Sequence, residues 1–396
     1  MRPARFAAYA VGLMSLSACR AESTPQAVIY RDSAGIRIVE SPASFADSKL
    51  PWIVDPTPHL RIGAAESTEP YQLHRVTGAT RLNDGRVLIV NAGTQELRFF
   101  DEQGEFLKSV GRQGSGPGEF QFPQLGPSRS GDTIWVFDRS QRLVLLDTAG
   151  RHLTTITPDA RIATPIGVID GKVLTSDGSA RARPDTPEGM MANDLTYELV
   201  DPFSASREVI AQVEGIDLFL HNLDGNFGFT VVPFDVSPSA GVGRDRFYIT
   251  PGKTPEIRAY DTVGQLREIF RVLEPPRPLE QGQFDQVVNA AVARVTDQAQ
   301  AAELRRRYGS MPKPATIPFY QTLIVDGEDH LWLESYRSND QLPRQWYVFN
   351  TEGILLGRVE MPHGVQVTEI GLDYVLGTTR GADDVEQVVK HRLMRS

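Results

Sequence analysis

The chain has 396 residues, a hydrophobic content of 40% and a formal net charge of −9 at pH 7. This length allows a large core, and the negative charge argues against nucleic acid as a partner, because nucleic-acid-binding surfaces are basic. The single cysteine excludes a disulfide within the chain and a zinc site built from cysteines. The 34 glycines and 27 prolines suit an all-β protein that is rich in turns.

The first 18 residues have the pattern of a signal peptide, with Arg2 and Arg5 ahead of an apolar run of 11 residues. That run is too short to span a bilayer as a mature helix. The sequence that follows, Leu16-Ser17-Ala18-Cys19, resembles the bacterial lipobox. This resemblance implies that Cys19 is lipidated after cleavage; without acylation, the segment would be an ordinary signal peptide.

We therefore expect an exported protein that is lipid-anchored in the cell envelope, at the outer membrane or the periplasmic face. Arg20 follows the cysteine where an aspartate would signal retention in the inner membrane, as it does in enteric bacteria. Residues 19–35 are polar and contain Pro25, so they predict a lipidated, flexible tether between the anchor and the fold.

A tight-turn sequence recurs along the chain, each time between two apolar runs. An Asp or Asn that can bond its own backbone precedes a Gly that can adopt a positive φ. The copies are Asp101 with Gly104, Asp147 with Gly150, Asp261 with Gly264, and Asn350 with Gly353; a weaker copy keeps Asp201 without the Gly. Repeats of about 40–50 residues with several short strands are typical of β-propeller blades, although the turn could also recur by chance in a β-sandwich.

The repeat predicts an all-β fold, a six-bladed β-propeller over residues 36–396. The first five predicted blades are 72–111, 122–157, 163–214, 228–273 and 317–361, and the sixth is formed by strands within 365–394. We expect residues 36–62 to join the C-terminal strands and close the ring, since closure removes free sheet edges. Blade three is irregular, with a polar segment at 176–195 that we interpret as an exposed loop, so five or seven blades remain open.

The glycine-rich link at 111–124, with the motif G-x-G-P-G-E-F, joins the first two predicted blades. By this link the chain resembles the NHL-repeat six-bladed propellers of exported bacterial proteins, within the TolB-like superfamily, over most of residues 70–396. A phosphate-cradling loop is the alternative, but no Lys-Ser/Thr pair follows the glycines and no helix begins there.

Residues 274–316 interrupt the blades with a helical insertion between blades four and five. Residues 284–308 lack Pro and repeat apolar side chains at helical spacing, and Asp297 is a predicted cap for a second helix. Two interpretations stay open: a lid or brace on one propeller face, or part of a site for a partner or ligand.

Sequence patterns for catalysis or metal binding are not found. The chain has no pair of histidines within four residues of each other, no G-x-S-x-G nucleophile motif and no calcium loop. We therefore predict no catalytic residue, no metal ligand and no cofactor. The candidate ligand-binding residues lie near predicted ends of inner strands, and each could instead be a plain surface or channel-lining residue: His74, Arg75, Gln124, Asp235 and Tyr320.

The leading functional hypothesis is a monomeric envelope lipoprotein that binds a protein or small ligand without catalysis. The alternative is a metal-dependent hydrolase or lyase with its site on the propeller axis, as in propellers of the gluconolactonase type or the NHL-type peptide-amidating lyases. A purely structural envelope component is the third hypothesis.

Overall fold

The structure is a computed structural model that describes residues 27–63, 68–126, 132–159, 161–181, 189–204, 206–223, 226–339, 342–381 and 384–395. The predicted signal peptide and the predicted lipid attachment site, Cys19, lie outside the described residues.

The first described residues form short elements that lie ahead of the first blade in the sequence. They are β1 (Ile29–Ser33), β2 (Ile36–Pro42), α1 (Ala43–Asp47), β3 (Ile53–Val54) and β4 (Leu60–Ile62), followed by a 3-10 turn at Glu69–Tyr71.

The first three blades are antiparallel meanders. Blade 1 is β5 (Val76–Arg81), β6 (Val87–Asn91), β7 (Glu96–Phe100) and β8 (Phe106–Val110). Blade 2 is β9 (Pro123–Gly126), β10 (Thr133–Asp138), β11 (Arg142–Asp147) and β12 (His152–Ile156). Blade 3 is β13 (Thr164–Ile169), β14 (Lys172–Arg181), β15 (Met190–Val200), β16 (Arg207–Leu223) and β17 (Asn226–Val231).

The helical insertion separates the fourth blade from the last two. Blade 4 is β18 (Ser239–Val242), β19 (Arg246–Thr250), β20 (Glu256–Asp261) and β21 (Leu266–Leu273), extended by β2 and β1. The insertion holds β22 (Arg277–Pro278), α2 (Gln281–Ala293), α3 (Gln298–Ser310) and β23 (Thr316–Ile317). Blade 5 is β24 (Tyr320–Val325), β25 (Leu331–Ser335), β26 (Arg344–Phe349) and β27 (Leu355–Met361). Blade 6 is β28 (Gln366–Ile370), β29 (Tyr374–Arg380) and β30 (Glu386–Met394), completed by β3 and β4.

The first strand of each blade lies on the inside of a closed ring. In chain order, β5, β9, β13, β18, β24 and β28 each contact the next, and β28 contacts β5. The predicted six-bladed β-propeller is confirmed. All inner strands begin at the same face, here called the link face, because the links between blades arrive there; the opposite face is the hairpin face.

The core lies between blades, where strands carry apolar side chains on both sides. Between blades 1 and 2, for example, Leu88 and Val90 pack with Ile134 and Val136, and each is at most 5% exposed. Full burial of such a side chain contributes roughly 1.5–3 kcal/mol, so the blade interfaces are a main source of stability.

The recurrent turns have a structural role that explains their repetition. Asp101 Oδ1 accepts the backbone N–H groups of Gln103 at 3.0 Å and Glu105 at 2.8 Å, and Gly104 has a φ of 88°. The other copies, at Asp147, Asp261 and Asn350, repeat the bond to the residue four positions on. Side chain and glycine together close the hairpin between the third and fourth strands of a blade.

The N-terminal strands differ from the prediction in two respects. Ile29–Ser33 is a strand that pairs with β2, so the fold begins inside the segment expected to be the tether. Only β3 and β4 pair with β30, whereas β2 runs parallel to β21 in blade 4. The reason is that β21 offers an unpaired edge, and β2 covers it while burying Val39 beside Phe270.

Blade 3 is longer than predicted, and most of its expected loop is strand. Residues 173–181 pair with 192–200 in an extended hairpin, so residues 176–181 and 190–195 of the predicted loop are strand. Residues 182–188 lie outside the described residues. The blade continues to Val231, and blade 4 begins at Ser239 where residue 228 was expected. The sequence of this hairpin lacks the alternation of apolar and polar side chains that predicts a strand. Its backbone N–H and C=O groups are nevertheless paired between the two strands.

The helical insertion packs on the link face. The Phe284 ring stacks on Phe234 with centroids 6.4 Å apart, and Arg307 of α3 reaches Thr230 Oγ1 of blade 3 at 3.3 Å. Asp297 caps α3 as predicted, because its Oδ1 accepts the Gln300 N–H at 2.8 Å. No helix within the described ranges is long and apolar enough to cross a membrane.

Candidate functional site

The five candidate residues all lie at the link-face end of their blades, but they are not brought together. His74 and Arg75 precede β5, Gln124 lies in β9, Asp235 precedes β18, and Tyr320 begins β24. They therefore belong to four different blades. Gln124 lines a cavity between blades 2 and 3.

Tyr320 is a core residue, at only 2% exposed, with its ring centroid 5.6 Å from that of Tyr347. Burial, with Tyr347 and Glu274 nearby, raises the pKa of its hydroxyl well above the ordinary value. Its side chain is therefore closed to a ligand that approaches the link face in this structure.

Asp235 lies in an acidic cluster around one ammonium group. Lys253 Nζ is 3.0 Å from Asp235, 3.4 Å from Glu214 and 3.9 Å from Asp217. Burial opposes the charge of Lys253, but Asp235 and the other two carboxylates outweigh it and raise the lysine pKa. Asp235 also accepts a hydrogen bond from the Asp217 N–H at 2.6 Å, so its carboxylate stabilises the local backbone. Within the described ranges, no group of three His, Cys, Asp or Glu side chains is arranged to hold a metal ion.

The backbone is strained where inner strands begin. Arg75, Phe122 and Phe234, which precede the inner strands of blades 1, 2 and 4, have φ values of 54°, 74° and 61°. Non-glycine residues in this region cost of order 1–3 kcal/mol, and such residues cluster at active sites and ligand clamps. The strain is a signal that sequence patterns do not contain.

Polar side chains of the second hairpin in each of blades 1 and 2 hold these strained links. Asn91 Oδ1 accepts the His74 N–H at 2.7 Å, and Asp138 Oδ2 accepts the Gln121 N–H at 2.9 Å. Gln95 accepts the Phe122 N–H of the next link. In blade 2, Gln141 repeats this bond to Ile162 N–H at 3.1 Å.

The glycine-rich link is tied down by its own side chains and by one arginine. Glu119 Oε2 accepts the Gly116 N–H at 2.8 Å, which together with Arg112 lowers the pKa of that carboxyl. Arg142 donates to the carbonyls of Ser115 at 2.6 Å and Glu119 at 3.2 Å. A Cβ at Gly114 would lie 2.1 Å from Glu119 Oε2, so a side chain at this position would displace the carboxylate that binds the link. The geometry favours the interpretation as an inter-blade link.

The cavity at Gln124, here called the blade 2/3 cavity, has a volume of about 260 Å³. Its walls include Phe122, Phe137, Ile162 and Pro165, and Arg139 stands at its edge. The Arg139 guanidinium lies 6.0 Å from the centre of the Phe122 ring.

Arg139 forms no ion pair with any carboxylate among the residues that the structure describes. Sequence reasoning missed this residue. An alignment of blades 1 and 2 that places Asn91 opposite Asp138 would have identified Arg139. In that alignment the charged Arg139 of blade 2 stands opposite the small, apolar Ala92 of blade 1.

A larger cavity of about 700 Å³, here called the blade 5/6 cavity, lies between the outer parts of the last two blades. The chain that crosses from blade 4 to blade 6, residues 49–61, forms one wall. The other walls come from the end of β27, the link to β28, and the strands β29 and β30.

On the hairpin face, a buried carboxylate ties the end of the chain to blade 5. Asp326 Oδ2 accepts from Trp332 Nε1 at 2.8 Å and from Arg395 Nη2 at 2.7 Å. In the sequence, Asp326-Gly327 is followed after four further residues by Trp332, and the bond between Asp326 and Trp332 gives this spacing a structural role in the hairpin.

Comparisons with known proteins agree with this architecture. A family model described as a 6-bladed beta-propeller, DUF5128, matches residues 66–160. A DUF4221 family member from Bacteroides vulgatus is similar in structure with a TM-score of 0.50 and 10% identity, covering 87% of this chain and 99% of that one.

Two further solved structures have lower similarity. A Bacteroides fragilis protein that is called exported has a TM-score of 0.45 and 11% identity, with 91% of this chain and 99% of that chain covered. Virginiamycin B lyase from Staphylococcus aureus has a TM-score of 0.39 and 11% identity, with 87% and 100% covered. No curated protein matches the chain in sequence. At these identities the likeness concerns fold alone, and the fold of this chain is a six-bladed β-propeller.

Proposed function

We propose that the protein is an exported, lipid-anchored binding protein of the cell envelope, which holds an anionic ligand at the blade 2/3 cavity without catalysis. The support for export and anchoring is the sequence of residues 1–19, and the support for binding is the geometry of the link face.

The observation that carries the proposal is Arg139 at the edge of the cavity, beside the ring of Phe122 on a strained backbone. A guanidinium presents several N–H donors in a planar fork that suits carboxylates and phosphates. The adjacent ring offers an apolar plane for the body of the ligand. A cavity of 260 Å³ suits a small organic acid or one acidic side chain of a protein.

The acidic groups elsewhere support binding over an axial metal-dependent reaction. The carboxylates around Lys253 compensate its ammonium. On inner strand β28, Glu369 accepts hydrogen bonds from the hydroxyls of Thr80 and Tyr374. These carboxylates are engaged by donors of the protein itself.

The test is calorimetric titration of residues 20–396, which contain all six blades, with benzoate, phenyl phosphate and inorganic phosphate. We expect at least one aromatic anion to bind, and Arg139→Gln to weaken it about tenfold, because a charge-assisted hydrogen bond is lost.

The matched control is Arg151→Gln, since Arg151 is an exposed arginine of the same blade that pairs with Asp147. Equal affinity in Arg139→Gln and wild type would overturn the assignment of this cavity, and so would absence of binding by all three anions.

A further inference from the structure

A third cavity, here called the blade 6/1 cavity, lies between blades 6 and 1 at their hairpin-face end and has a volume of about 350 Å³. Arg81 reaches it from the end of β5, and Asp373 from the turn that precedes β29. His59, which precedes β4, lines it as well. Its remaining wall is formed by residues of β29 and β30, among them Lys390 and Arg392.

The register of blade 6 directs two cationic side chains of β30 towards blade 1. Lys390 is paired with Leu376 of β29, and Arg392 is paired with Tyr374, without a bulge in this part of the ladder. Side chains of directly paired residues lie on the same face of a sheet. Leu376 and Tyr374 pack with apolar side chains of blade 1, so Lys390 and Arg392 project into the same space between the blades.

The ammonium group of Lys390 is buried without a partner and is still open to the cavity. The residue is only 6% exposed, and its Nζ has no hydrogen bond or ion pair with any of the described residues. Nζ is nevertheless not one of the fully enclosed atoms that lack a partner. Burial of an unpaired ammonium is costly because the charge loses its hydration. An anion in the cavity would offset that cost.

Two guanidinium groups line the cavity together with this ammonium. The Arg81 guanidinium lies 5.2 Å from the centre of the Tyr374 ring, and Arg392 is exposed. Neither arginine forms an ion pair with a carboxylate in the part of the chain that the structure describes. A guanidinium presents a planar fork of N–H donors that matches the oxygens of a carboxylate or a phosphate. The cavity therefore offers one buried point charge and two forked donors.

The carboxylates near the cavity do not cancel these three charges. Asp373, which is exposed, is the one carboxylate among the described lining residues. Glu102, in the turn after β7, acts on Lys390 without lining the cavity. Glu369 also lies outside the lining, and it accepts hydrogen bonds from two hydroxyls of neighbouring strands. Even with Glu102 counted beside Asp373, the cations remain in excess.

Two titratable groups of the cavity indicate the same sign of charge. Burial lowers the pKa of Lys390 and the charge of Arg81 lowers it further, which together outweigh the two nearby carboxylates. Burial also lowers the pKa of His59, and the charges of Lys390 and Arg392 add to this effect and outweigh Asp373. Neighbouring cations, and not burial alone, therefore disfavour a further positive charge at both groups, and the same cations would attract an anion.

We propose that the blade 6/1 cavity is a second binding site, for a small oxyanion of the carboxylate or phosphate type. The anion pairs with the Lys390 ammonium and is flanked by the guanidinium groups of Arg81 and Arg392, while the Tyr374 ring forms an apolar wall. A volume of about 350 Å³ suits a small ligand. The site lies at the face opposite to the blade 2/3 cavity and does not depend on the function proposed there.

The experiment is calorimetric titration of residues 20–396 that carry Arg139→Gln, so that the blade 2/3 cavity contributes little to the signal. The probes are inorganic phosphate, succinate and succinamide, which is a neutral molecule of nearly the same size as succinate. We expect phosphate or succinate to bind and succinamide not to bind, because only the anions can pair with the cations. The tighter of the two anions identifies the acid group that the site prefers.

Lys390→Met keeps most of the side-chain volume and removes a buried unpaired charge, so it should fold, and it should weaken the bound anion about tenfold. Lys49→Met makes the same change at an exposed lysine outside the cavity and should leave the affinity unchanged. Arg392→Gln should weaken binding about fivefold, whereas Arg305→Gln, which removes an exposed arginine of α3, should have no effect.

Chemical labelling tests whether the ammonium is open to the cavity. Trace reductive methylation of the same protein, followed by mass spectrometry of its peptides, compares all six lysines of the chain in one sample. We expect Lys390 to be labelled in the absence of anions. Saturation with the anion that binds, phosphate or succinate, should lower this labelling several-fold and leave that of Lys49 unchanged.

Binding of neither anion, or equal affinity for succinate and succinamide, would overturn the proposal. So would equal affinity in Lys390→Met and Lys49→Met, or labelling of Lys390 that is absent or that is the same with and without the anion. If Lys390→Met does not fold, equal affinity in Arg392→Gln and Arg305→Gln overturns it. These outcomes leave the blade 2/3 cavity untouched, because Arg139 is already replaced in every protein compared.

Discussion

At the scale of single residues, stability depends on buried charges whose local partners can be identified in the sequence and whose distant partners cannot. The aspartate of the Asp326 hairpin is visible in the sequence with Trp332 six residues later, because the motif is local. Its other partner, Arg395, lies 69 residues away and could be identified only in the fold. Burial alone would raise the pKa of Asp326, but hydrogen bonds from His330 and Trp332 and the charge of Arg395 outweigh it and lower the pKa.

We predict that Asp326→Asn lowers the free energy of unfolding by about 3 kcal/mol at pH 7, because Arg395 would keep a buried charge without its partner. Since the folded pKa lies below the ordinary 3.8, the carboxylate stabilises fully above that value, and its contribution is lost as pH falls through the folded pKa. Urea unfolding of both proteins from pH 7 to about pH 3 should show the difference narrowing at the acid end.

Asp285→Asn, at an exposed helix position that pairs with Lys313 at 3.5 Å, is the matched control and should cost under about 0.5 kcal/mol. A difference between wild type and Asp326→Asn that stays constant over the whole pH range would contradict the role assigned to the carboxylate.

At the scale of elements, local chemistry was predictable and long-range pairing was not. The Asp-Gly turns identified the hairpins because both residues act within one turn, and the Asp297 cap follows the same logic. The extended hairpin of blade 3 was missed because its polar side chains lack alternation. The pairing of β2 with β21 was missed because no local pattern distinguishes one open sheet edge from another.

The residues of the candidate site show the same contrast between local signals and long-range contacts. Gln124 could be named from its place near the start of an inner strand. Arg139 could not, since its place beside the Phe122 ring depends on the neighbouring inter-blade link.

The position of β2 gives a direct test at this scale. Val39 is fully buried against blade 4, whereas Tyr30 in β1 is 56% exposed. We predict that Val39→Ala lowers the free energy of unfolding by about 2 kcal/mol through lost burial and a residual cavity, while Tyr30→Ala changes it by less than about 0.5 kcal/mol. Denaturant titration of both variants measures this, and equal small effects would mean that β2 does not pack on blade 4.

At the scale of the whole molecule, the first and the last described strands belong to one closed body. β3 and β4 complete blade 6, β1 and β2 extend blade 4, and Arg395 reaches blade 5. The ring therefore has no independently folding half, and we expect it to unfold as one unit. This arrangement leaves the residues before Ile29 as the connection between a rigid propeller and the membrane anchor that we propose.

Lipidation at Cys19 predicts how the whole molecule is distributed in the cell. The wild-type protein should begin at Cys19, carry acyl mass on its first peptide, and sediment with membranes, because two or three acyl chains anchor a protein stably. Cys19→Ser should lack that mass and be released from membranes, whereas Ser17→Ala keeps a small residue before the cysteine and should behave like wild type. Mass spectrometry of the N-terminal peptide and membrane fractionation measure both properties. A Cys19→Ser protein that has lost residues 1–18 and still sediments with membranes would show that the propeller, and not the lipid, holds it there.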